Sequence, residues 1–265
     1  MPFLVDELER GHRFSVVEAS KNETGGGQGV EILKDEPFES DTIRPGQHLQ
    51  GTYTHKIYHL RDKASWYLKL LMPAEAMKLE EKSWNAYPYS KTVLSNPGYM
   101  KKNFYVIVES VYLQDRGETE NACNLSQDLL TKREVVKLDI YDETYLKETD
   151  IRDETDPRHF HSVKANRGPL TENWWQTNDQ PVMCAYKVCQ VHFKWFGLQT
   201  RLERYIHSNY PRLFVKFHRE VFCWMDKWYD LSMDEIREIE KNAAIELRNQ
   251  FNNGEVRGMK AAEPE

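Results

Sequence analysis

The stretch AYKVCQVHFKWFG, residues 185–197, has the two-residue periodicity of one long strand. One face of this strand carries Ala185, Lys187, Cys189, Val191, Phe193 and Trp195. That face is apolar except for Lys187, whose ammonium group either points into the interior or reaches a rim by snorkelling. Because a buried ammonium needs an anion or loses its charge, an inward Lys187 predicts an anionic ligand or partner.

Two aromatic side chains, Trp195 and Phe196, come directly before Gly197 at the end of this strand. A chain reversal at the glycine would expose at least one of the rings. The pair therefore belongs either to an apolar tip that touches a membrane or to the core. Together with an inward cation, an apolar tip indicates a protein that holds an anionic amphiphile.

Composition narrows the class of protein. The 265 residues suffice for one large domain or two small ones, and a formal net charge of −6 disfavours a nucleic-acid partner. The apolar runs are far shorter than the ~20 residues that span a bilayer, and the first residues lack the pattern of a signal peptide. The four cysteines form no CxxC pair, so a reduced, cytoplasmic protein is expected.

The sequence pattern of the first third of the chain predicts mainly strands. Residues 13–19 and 30–33 are interpreted as strands, and residues 35–51 as a loop. The triple glycine at 25–27 is compatible with a phosphate loop or with a hairpin connection. The hairpin is favoured, because a GK[ST] ending and a following helix are missing.

Residues 52–60, TYTHKIYHL, predict a strand on which Thr54, Lys56 and Tyr58 share a face. A hydroxyl and an ammonium group two residues apart can clamp a polyol phosphate, and the alternative is a solvated strand face. Thr92 and Asn85 lie in a later extended stretch, residues 84–93. They face opposite sides there, unless an edge or bulge at Pro88 shifts the phase.

Other segments complete a coarse prediction. Residues 66–72 are expected to form a helix that continues over 74–82 after Pro73, and residues 103–113 and 134–141 are expected to form strands. Residues 142–183 form a long acidic loop. This loop contains His159 and His161, which lack a partner at metal-ligand spacing, and Ser162, a weak match to a phosphorylation site.

The C-terminal third turns helical. A helix starting near Gln199 is either kinked by Pro211 or followed by a new helix there, and Ser232 begins a capping box for a further helix. Glu240 lies beside the apolar stripe of that last helix and faces inward or toward solvent. The pattern predicts an α+β fold with an antiparallel sheet of about seven or eight strands, curled around a helix.

Several blocks of the sequence resemble the phosphatidylinositol transfer proteins of the class I type. They appear in the family's order: SVVEASKNETGGGQGVEIL, YTHKIYHL, WNAYPYSKT, NRGPL, CAYKVCQVHFKWFGLQ, FHREVFCWMDKWYDLSMDEIREIE and VRGM. The resemblance extends from about residue 13 to 259, so it covers nearly the whole chain. It implies a helix-grip, START-like fold in which a curved antiparallel sheet wraps around a long helix and encloses one phospholipid.

The resemblance also implies roles for individual residues. The inositol ring would be held by Thr54, Lys56, Asn85 and Glu240. The lipid phosphate would be held by Thr92, Ser110, Lys187 and His12. Trp195 and Phe196 would dock on the bilayer, Phe217 would line the cavity, and Ser162 would be a regulatory phosphorylation site.

The sequence departs from the family pattern at several positions. His12 stands where a glutamine is usual, Ser110 replaces a threonine, and Ser90 replaces a reactive cysteine. Phe196 replaces a second tryptophan and loses the polar indole edge that anchors a ring at an interface. The family also opens with an extra strand that is missing here, as if the chain were truncated or differently spliced, which leaves the completeness of the sheet open.

Together these observations predict a monomeric, non-enzymatic carrier that exchanges phosphatidylinositol or phosphatidylcholine between membranes. Residues 1–265 would form one transfer domain, with 142–183 as a regulatory loop and 252–265 as a lid or tail. The protein would be cytoplasmic and transiently at membrane surfaces, without a cofactor or metal. The alternatives are a module that presents phosphatidylinositol to lipid kinases, and phosphatidic acid or sphingomyelin as the second ligand. A lipid hydrolase is disfavoured because no GxSxG motif is present.

Overall fold

A computed structural model describes residues 1–60, 73–195, 197 and 199–255. The strands are β1 Gly29–Ser40, β2 Leu49–His59, β3 Lys78–Ala86, β4 Tyr89–Asn96, β5 Lys101–Leu113 and β6 Cys184–Phe193. The helices are α1 Val5–Glu23, α2 Gln127–Lys132, α3 Gln199–Cys223, α4 Met225–Trp228 and α5 Met233–Asn253. The predicted helix at 66–72 lies outside the described residues.

The described strands form one six-stranded sheet in the order β1-β2-β3-β4-β5-β6. The pairs β1–β2, β2–β3 and β3–β4 are antiparallel. Each strand therefore lies beside its neighbour in sequence, although the connections range from residues 87–88 between β3 and β4 to residues 114–183 between β5 and β6. The predicted α+β class is confirmed, with six strands among the described residues where about seven or eight were expected.

The chain begins with a helix, so the strand predicted for residues 13–19 is wrong. Helix α1 spans Val5–Glu23 and carries Asp6 and Glu7 in its first turn. These acids favour a helix N-terminus, and the Leu4 amide donates to Glu7 Oε2 at 2.8 Å. Phe14 and Val17 are both buried, and their spacing of three residues fits a helical face and contradicts the two-residue period.

The triple glycine connects α1 to β1 and is not the hairpin that we predicted. The amide of Gly25 donates to Gln28 O at 2.9 Å, which closes a tight turn. At Gly29, with φ of 114°, a Cβ would lie 2.5 Å from the Cα of Thr24, so only glycine fits. Strand β1 then continues to Ser40 and β2 begins at Leu49, which shortens the predicted loop at 35–51 from both ends.

Two further secondary-structure predictions are wrong, because the pairing between strands decides these segments. Residues 78–82 belong to β3 and pair with β2, so the helix expected over 74–82 is limited to the short 3-10 turn Ala74–Met77. Residues 134–141 alternate in polarity but form no strand, and Val135 is 65% exposed there. Cross-strand packing decides such segments more than residue preference does.

The C-terminal helices follow the sequence closely. Pro211 lies inside the single helix α3, so no new helix begins there, and a kink stays a prediction. The capping box at Ser232 is confirmed: its hydroxyl accepts from the Glu235 amide at 3.2 Å, and Glu235 Oε2 accepts from the Ser232 amide at 2.8 Å. Residues 142–183 contain only short 3-10 turns and otherwise irregular backbone, as expected.

The chain divides into two compact units, each assembled from three segments. Unit 1 comprises Met1–Ser15, Ser110–Val188 and Arg204–Ile236, and unit 2 comprises Val16–Glu109, Cys189–Glu203 and Arg237–Glu265. In unit 1, the ring of Phe3 packs 6.2 Å from that of Phe222 and 5.8 Å from that of Trp228. In unit 2, Phe104 and Phe193 pack edge to face at 6.0 Å.

Candidate functional site

A row of hydroxyl groups crosses three strands of unit 2. Thr54 on β2 is directly opposite Ser83 on β3, and Ser83 is opposite Thr92 on β4. The hydroxyl oxygens of Ser83 and Thr92 are 2.8 Å apart, and Ser83 is only 6% exposed. Because each hydroxyl can donate and accept, this row suits a ligand that carries several hydroxyls of its own.

Asn85 and Thr92 lie on the same face of the sheet. The bond Tyr87–Pro88 forms the turn between β3 and β4, so Pro88 does not lie inside an edge strand or bulge as we predicted. The turn shifts the alternation between the two strands, so that Thr92 is directly opposite Ser83. Asn85 comes two residues after Ser83 on β3 and therefore lies on the same face as Thr92. Asn85 Nδ2 donates to Ser83 Oγ at 3.5 Å, which adds an amide to the same polar face.

Lys56 brings a positive charge to this face. It is opposite Glu81 in the β2–β3 pairing, and its ammonium lies 3.5 Å from Glu81 Oε1. Tyr58 also shares the face, and its hydroxyl donates to Glu81 Oε2 at 2.7 Å. Because Lys56 is only 9% exposed, the alternative of a solvated strand face does not hold at this residue.

In unit 1, Lys187 on β6 is held by hydroxyls and aromatic rings. Its ammonium donates to Ser110 Oγ at 3.2 Å and to Tyr112 Oη at 3.3 Å. The same ammonium lies 5.1 Å from the ring centroids of both Tyr112 and Phe214. Within the described part of the chain no carboxylate forms an ion pair with Lys187, so the site has a cation and hydroxyl groups but no internal anion.

Two histidines stand beside this cation. The ring of His12 lies 5.2 Å from that of Phe217, and the ring of Phe217 lies 5.5 Å from that of His218. His218 Nδ1 lies 2.7 Å from the carbonyl oxygen of Phe214, while its Nε2 is buried without a hydrogen-bond partner among the described residues. Burial, then the positive charge of Lys187, lower the pKa of His218 well below its ordinary value, so the ring is neutral at pH 7.

The predicted site residues thus fall into two groups, which we describe separately. Ser110, Lys187, His12 and Phe217 come together in unit 1. Thr54, Lys56, Asn85 and Thr92 come together in unit 2, where Glu240 is half-buried on α5. Their assignment to phosphate and inositol remains a prediction.

Trp195 packs against its own unit. Its half-buried ring stacks on Phe193 at 6.4 Å and lies 5.7 Å from the ring of Tyr99. A depression of about 310 Å³ beside it is lined by Tyr99, Met100, Asn103, Lys194 and Trp195. Membrane docking by Trp195 and Phe196 stays a prediction, and Phe196 lies outside the described residues.

Ser162 is completely buried in the loop of residues 142–183. Its hydroxyl donates to Asp226 Oδ1 at 2.5 Å and accepts from the Ala165 amide at 3.1 Å. Partial burial opposes ionisation of Asp226, but the hydrogen bonds from Ser162, Val163 and Lys164 outweigh it and lower the pKa of this carboxyl group. A kinase therefore reaches Ser162 only after this turn has opened.

Glutamate at position 162 is expected to destabilise unit 1 by on the order of 3 kcal/mol, because it places a second carboxylate against Asp226 in a buried turn. Ser162→Ala should cost only about 1 kcal/mol, the value of one hydrogen bond. Thermal unfolding at pH 7 measures both changes. Val163→Glu, at a side chain that is 79% exposed, is the matched control and should leave the melting temperature unchanged. Equal melting temperatures for Ser162→Glu and Val163→Glu would contradict this account.

Sequence reasoning missed four side chains of these two groups. Ser83 and Glu81 follow from the β2–β3–β4 register, once the turn at Pro88 is recognised. Tyr112 lies two residues after Ser110 on the same strand, so it shares its face. His218 gives no signal of its own in sequence, because its neighbours come from other elements.

Neither group has the composition of a metal centre or a membrane span. Among the described residues, no cluster of three or more histidine, cysteine, aspartate or glutamate side chains can hold a metal ion. Within the same residues, no helix is long and apolar enough to cross a bilayer. The polar groups are hydroxyls, an amide, carboxylates, ammonium ions and imidazoles.

The α+β fold carries a row of hydroxyl groups on one face of its sheet and a lysine that forms no ion pair with a carboxylate among the described residues, which is the pattern of a ligand-binding protein. Comparison with known proteins specifies this class: the phosphatidylinositol transfer protein family model matches residues 1–244, and the chain belongs to that family.

Two kinds of relatives are similar to this chain. The phosphatidylinositol transfer protein beta isoform of Mus musculus is 43% identical over 267 residues, which cover 99% of this chain and 96% of the relative. Phosphatidylinositol transfer protein 1 of Dictyostelium discoideum is 42% identical and covers 95% of this chain and 92% of its own length. Membrane-associated phosphatidylinositol transfer protein 2 of Mus musculus is 39% identical over 93% of this chain, but only 18% of its own length is matched.

Proposed function

We propose that this chain binds one molecule of phosphatidylinositol or phosphatidylcholine in an internal cavity and exchanges it between membranes. The names of its relatives, which are phosphatidylinositol transfer proteins over nearly the whole chain, support the lipid class. The observation that carries the proposal is Lys187, a cation that contacts two hydroxyls and two aromatic rings. A phosphodiester supplies the anion with which Lys187 forms no ion pair among the described residues, and both lipids contain one.

The polar face of unit 2 supports selectivity for inositol. An inositol ring offers hydroxyls that both donate and accept, and Thr54, Lys56 and Asn85 provide matching groups. Glu240, half-buried on α5, would add a carboxylate acceptor. The trimethylammonium group of choline has neither hydrogen-bond donors nor acceptors, so phosphatidylcholine uses none of these contacts, and the face would set selectivity and not general lipid affinity.

An internal cavity follows from the energetics of the lipid chains. A two-chain lipid in water exposes about 30 methylenes, and at about 0.8 kcal/mol each this costs on the order of 25 kcal/mol. No surface patch offsets such a cost, so both chains must enter an apolar interior. The proposal therefore includes the START-like helix grip, in which the sheet curves around a long helix and Phe217 lines the cavity.

The remaining parts of the proposal concern the domain organisation, the regulation and the cellular location of the carrier. Residues 1–265 act as one transfer domain, in which the loop 142–183 is regulatory through Ser162. The carrier works as a cytoplasmic monomer that touches membranes transiently through Trp195 and Phe196. It needs no catalytic residue and no cofactor besides the lipid. Presentation of phosphatidylinositol to lipid kinases is the second candidate, because the same bound lipid serves both activities.

Native mass spectrometry of the protein purified from cells tests the proposal directly. We expect one phosphatidylinositol or phosphatidylcholine per chain, and the mass also reveals phosphatidic acid or sphingomyelin if one of them is the second ligand. Transfer of labelled lipid between vesicles then separates a carrier from a presenting module. A protein that contains no phospholipid and moves neither lipid would contradict the proposed function.

The C-terminal end of α5 suggests a lid over the cavity. In unit 2 the carbonyl of Phe251 accepts from the Gly27 amide at 2.7 Å, and its ring lies 4.7 Å from that of His59. Lys21 adds an ion pair with Glu246 at 2.9 Å. A closed lid of this kind must open for lipid exchange.

Removal of residues 252–265 is expected to raise affinity for liposomes several-fold, because it shortens α5 to Phe251 and lets the new helix end fray, and Phe251→Ala should act in the same direction. Sedimentation with phosphatidylcholine vesicles measures the bound fraction. Asn249→Ala, at an exposed position of the same helix, is the control and should bind as the unmodified protein does. Unchanged liposome binding after truncation would argue against a lid.

A further inference from the structure

The turn between β4 and β5 is anchored in unit 2 by one buried amide side chain. Asn96, the last residue of β4, is only 1% exposed. Its side-chain oxygen accepts from the backbone amides of Tyr99 and Met100 at 2.9 and 2.8 Å. Its Nδ2 lies 2.7–3.2 Å from the backbone carbonyl oxygens of Glu75, Ala76 and Lys78. Asn96 therefore fixes the turn of residues 97–100 against the start of β3.

The side chains that follow in this turn and at the start of β5 are aromatic or basic. Tyr99 is 38% exposed, and its ring lies 5.7 Å from that of Trp195. Lys101 and Lys102, the first two residues of β5, are both exposed. In the part of the chain that the structure describes, neither lysine forms an ion pair with a carboxylate. An anchored turn thus places two adjacent positive charges beside exposed aromatic surface.

The backbone of Lys101 adopts a conformation that does not suit a lysine. Its φ of 51° lies in the left-handed region, which glycine and asparagine adopt more readily than lysine does. A lysine at this position therefore destabilises the turn relative to glycine. Residues in such conformations cluster at functional sites, where the side chain has a use that offsets its cost. Since the ammonium group has no ion pair among the described residues, this use is binding outside the fold.

We propose that Lys101 and Lys102 form an electrostatic docking surface for an anionic lipid bilayer, next to the rings of Tyr99 and Trp195. The negative surface potential of a bilayer attracts lysines and raises the affinity about fivefold for each of them. Tyrosine and tryptophan rings favour the membrane–water interface, because each ring is apolar and has one polar group. Two lysines alone would suit an acidic protein equally well, and the neighbouring exposed rings favour a bilayer.

The inference deepens the proposed function and rests on it, since a lipid carrier must touch the membranes that it serves. Aromatic rings at the tip bind the interface of any bilayer, whereas lysines respond to its charge. The charge of the membrane surface would therefore decide which membranes the carrier visits most.

Sedimentation of the full chain with vesicles of phosphatidylcholine, with and without phosphatidylserine, tests the docking surface. The unmodified protein should bind the phosphatidylserine vesicles more tightly, and added salt should reduce this difference by screening the charges. Lys102→Gln should lower affinity for these vesicles about fivefold and leave binding to phosphatidylcholine vesicles unchanged.

Lys132→Gln is the matched control, because it removes one positive charge from a side chain that is 67% exposed on α2 in unit 1. It should keep the affinity for phosphatidylserine vesicles. An equal loss in the two variants would show that only the net charge of the chain matters. No loss in Lys102→Gln would leave the lysines to another partner, such as an acidic protein. Either result would overturn the inference.

Lys101→Gly separates the charge of this residue from the folding of the turn. Glycine relieves the left-handed backbone conformation, so the melting temperature should not fall, whereas affinity for phosphatidylserine vesicles should fall about fivefold. Unchanged affinity would contradict the role of Lys101 in docking. A lower melting temperature would show that lysine stabilises the turn, and the functional reading of its backbone would be wrong.

The proposed function and the docking surface fail in different experiments. If the unmodified protein transfers neither phosphatidylinositol nor phosphatidylcholine, the proposed function is wrong, whatever vesicles it binds. If it transfers both lipids but binds vesicles with and without phosphatidylserine equally, only the docking surface is wrong.

Discussion

Replacement of Lys56 by alanine is expected to reduce phosphatidylinositol transfer about 100-fold and to leave phosphatidylcholine transfer within about twofold. Lys56 is 9% exposed and lies on the same face as Thr54 and Asn85. A hydrogen bond from a charged donor contributes about 1.5–3 kcal/mol, and its removal also leaves Glu81 buried without a cation. The choline headgroup has no hydroxyl to accept from Lys56, so its lipid should be unaffected.

Phosphatidylcholine transfer in the same sample reports whether the variant is folded. Lys82→Ala is the matched control, because Lys82 follows Glu81 on β3, faces the other side and is 41% exposed in its side chain. A vesicle assay with both labelled lipids gives the two rates together. Equal loss of both activities in Lys56→Ala would remove this face from any role in headgroup selection.

The elements that sequence predicted well are those whose pattern is local. Strand β2 follows from the β-branched and aromatic run at 52–60, and β6 from the alternation that begins at Ala185, although β6 ends at Phe193 and not at Gly197 as predicted. The start of α5 follows from Ser232 and Glu235, since a capping box lies within one helical turn. Such signals do not depend on any distant part of the chain.

The wrong predictions arose where too short a stretch of sequence was considered, or where the neighbouring strand was unknown. Residues 13–19 alone suggest a strand, whereas the acids Asp6 and Glu7 upstream show that a helix has already begun. Residues 134–141 alternate in polarity, but alternation does not supply a neighbouring strand to pair with. Residues 78–82 have helix-forming side chains, and yet their pairing with β2 makes them a strand.

The candidate site likewise contains residues that a local sequence pattern could place and residues that it could not place. Alternation alone placed Lys187 on an otherwise apolar strand face and placed Thr54 and Lys56 on one shared face. The ligand chemistry came from the family resemblance. The partners of these residues depend on register between strands that are distant in sequence. Glu81 could not be placed until the β2–β3 pairing was known, and His218 could not be placed before α3 was.

The loss of the Lys187 charge should weaken both lipids, unlike the loss of Lys56. The phosphodiester is common to phosphatidylinositol and phosphatidylcholine, and Lys187 is the cation that contacts Ser110 and Tyr112. A buried anion without its counter-ion costs about 3–5 kcal/mol, which corresponds to a loss of roughly 100- to 4,000-fold in affinity. Lys187→Met is the informative change, because methionine keeps much of the apolar stem and removes only the charge.

Transfer of both lipids by Lys187→Met, measured in the vesicle assay, should therefore fall together and by similar factors. Lys194→Ala is the control, because Lys194 is exposed in the same segment of chain and should keep both rates. The substitution has a second readout: the positive charge of Lys187 helps to lower the pKa of His218, so its removal should raise that pKa in an NMR titration. An upward shift of the His218 pKa would show that the charge of Lys187 is gone. If either lipid were still transferred at the normal rate, the phosphate would still be bound, and Lys187 would not be its counter-ion.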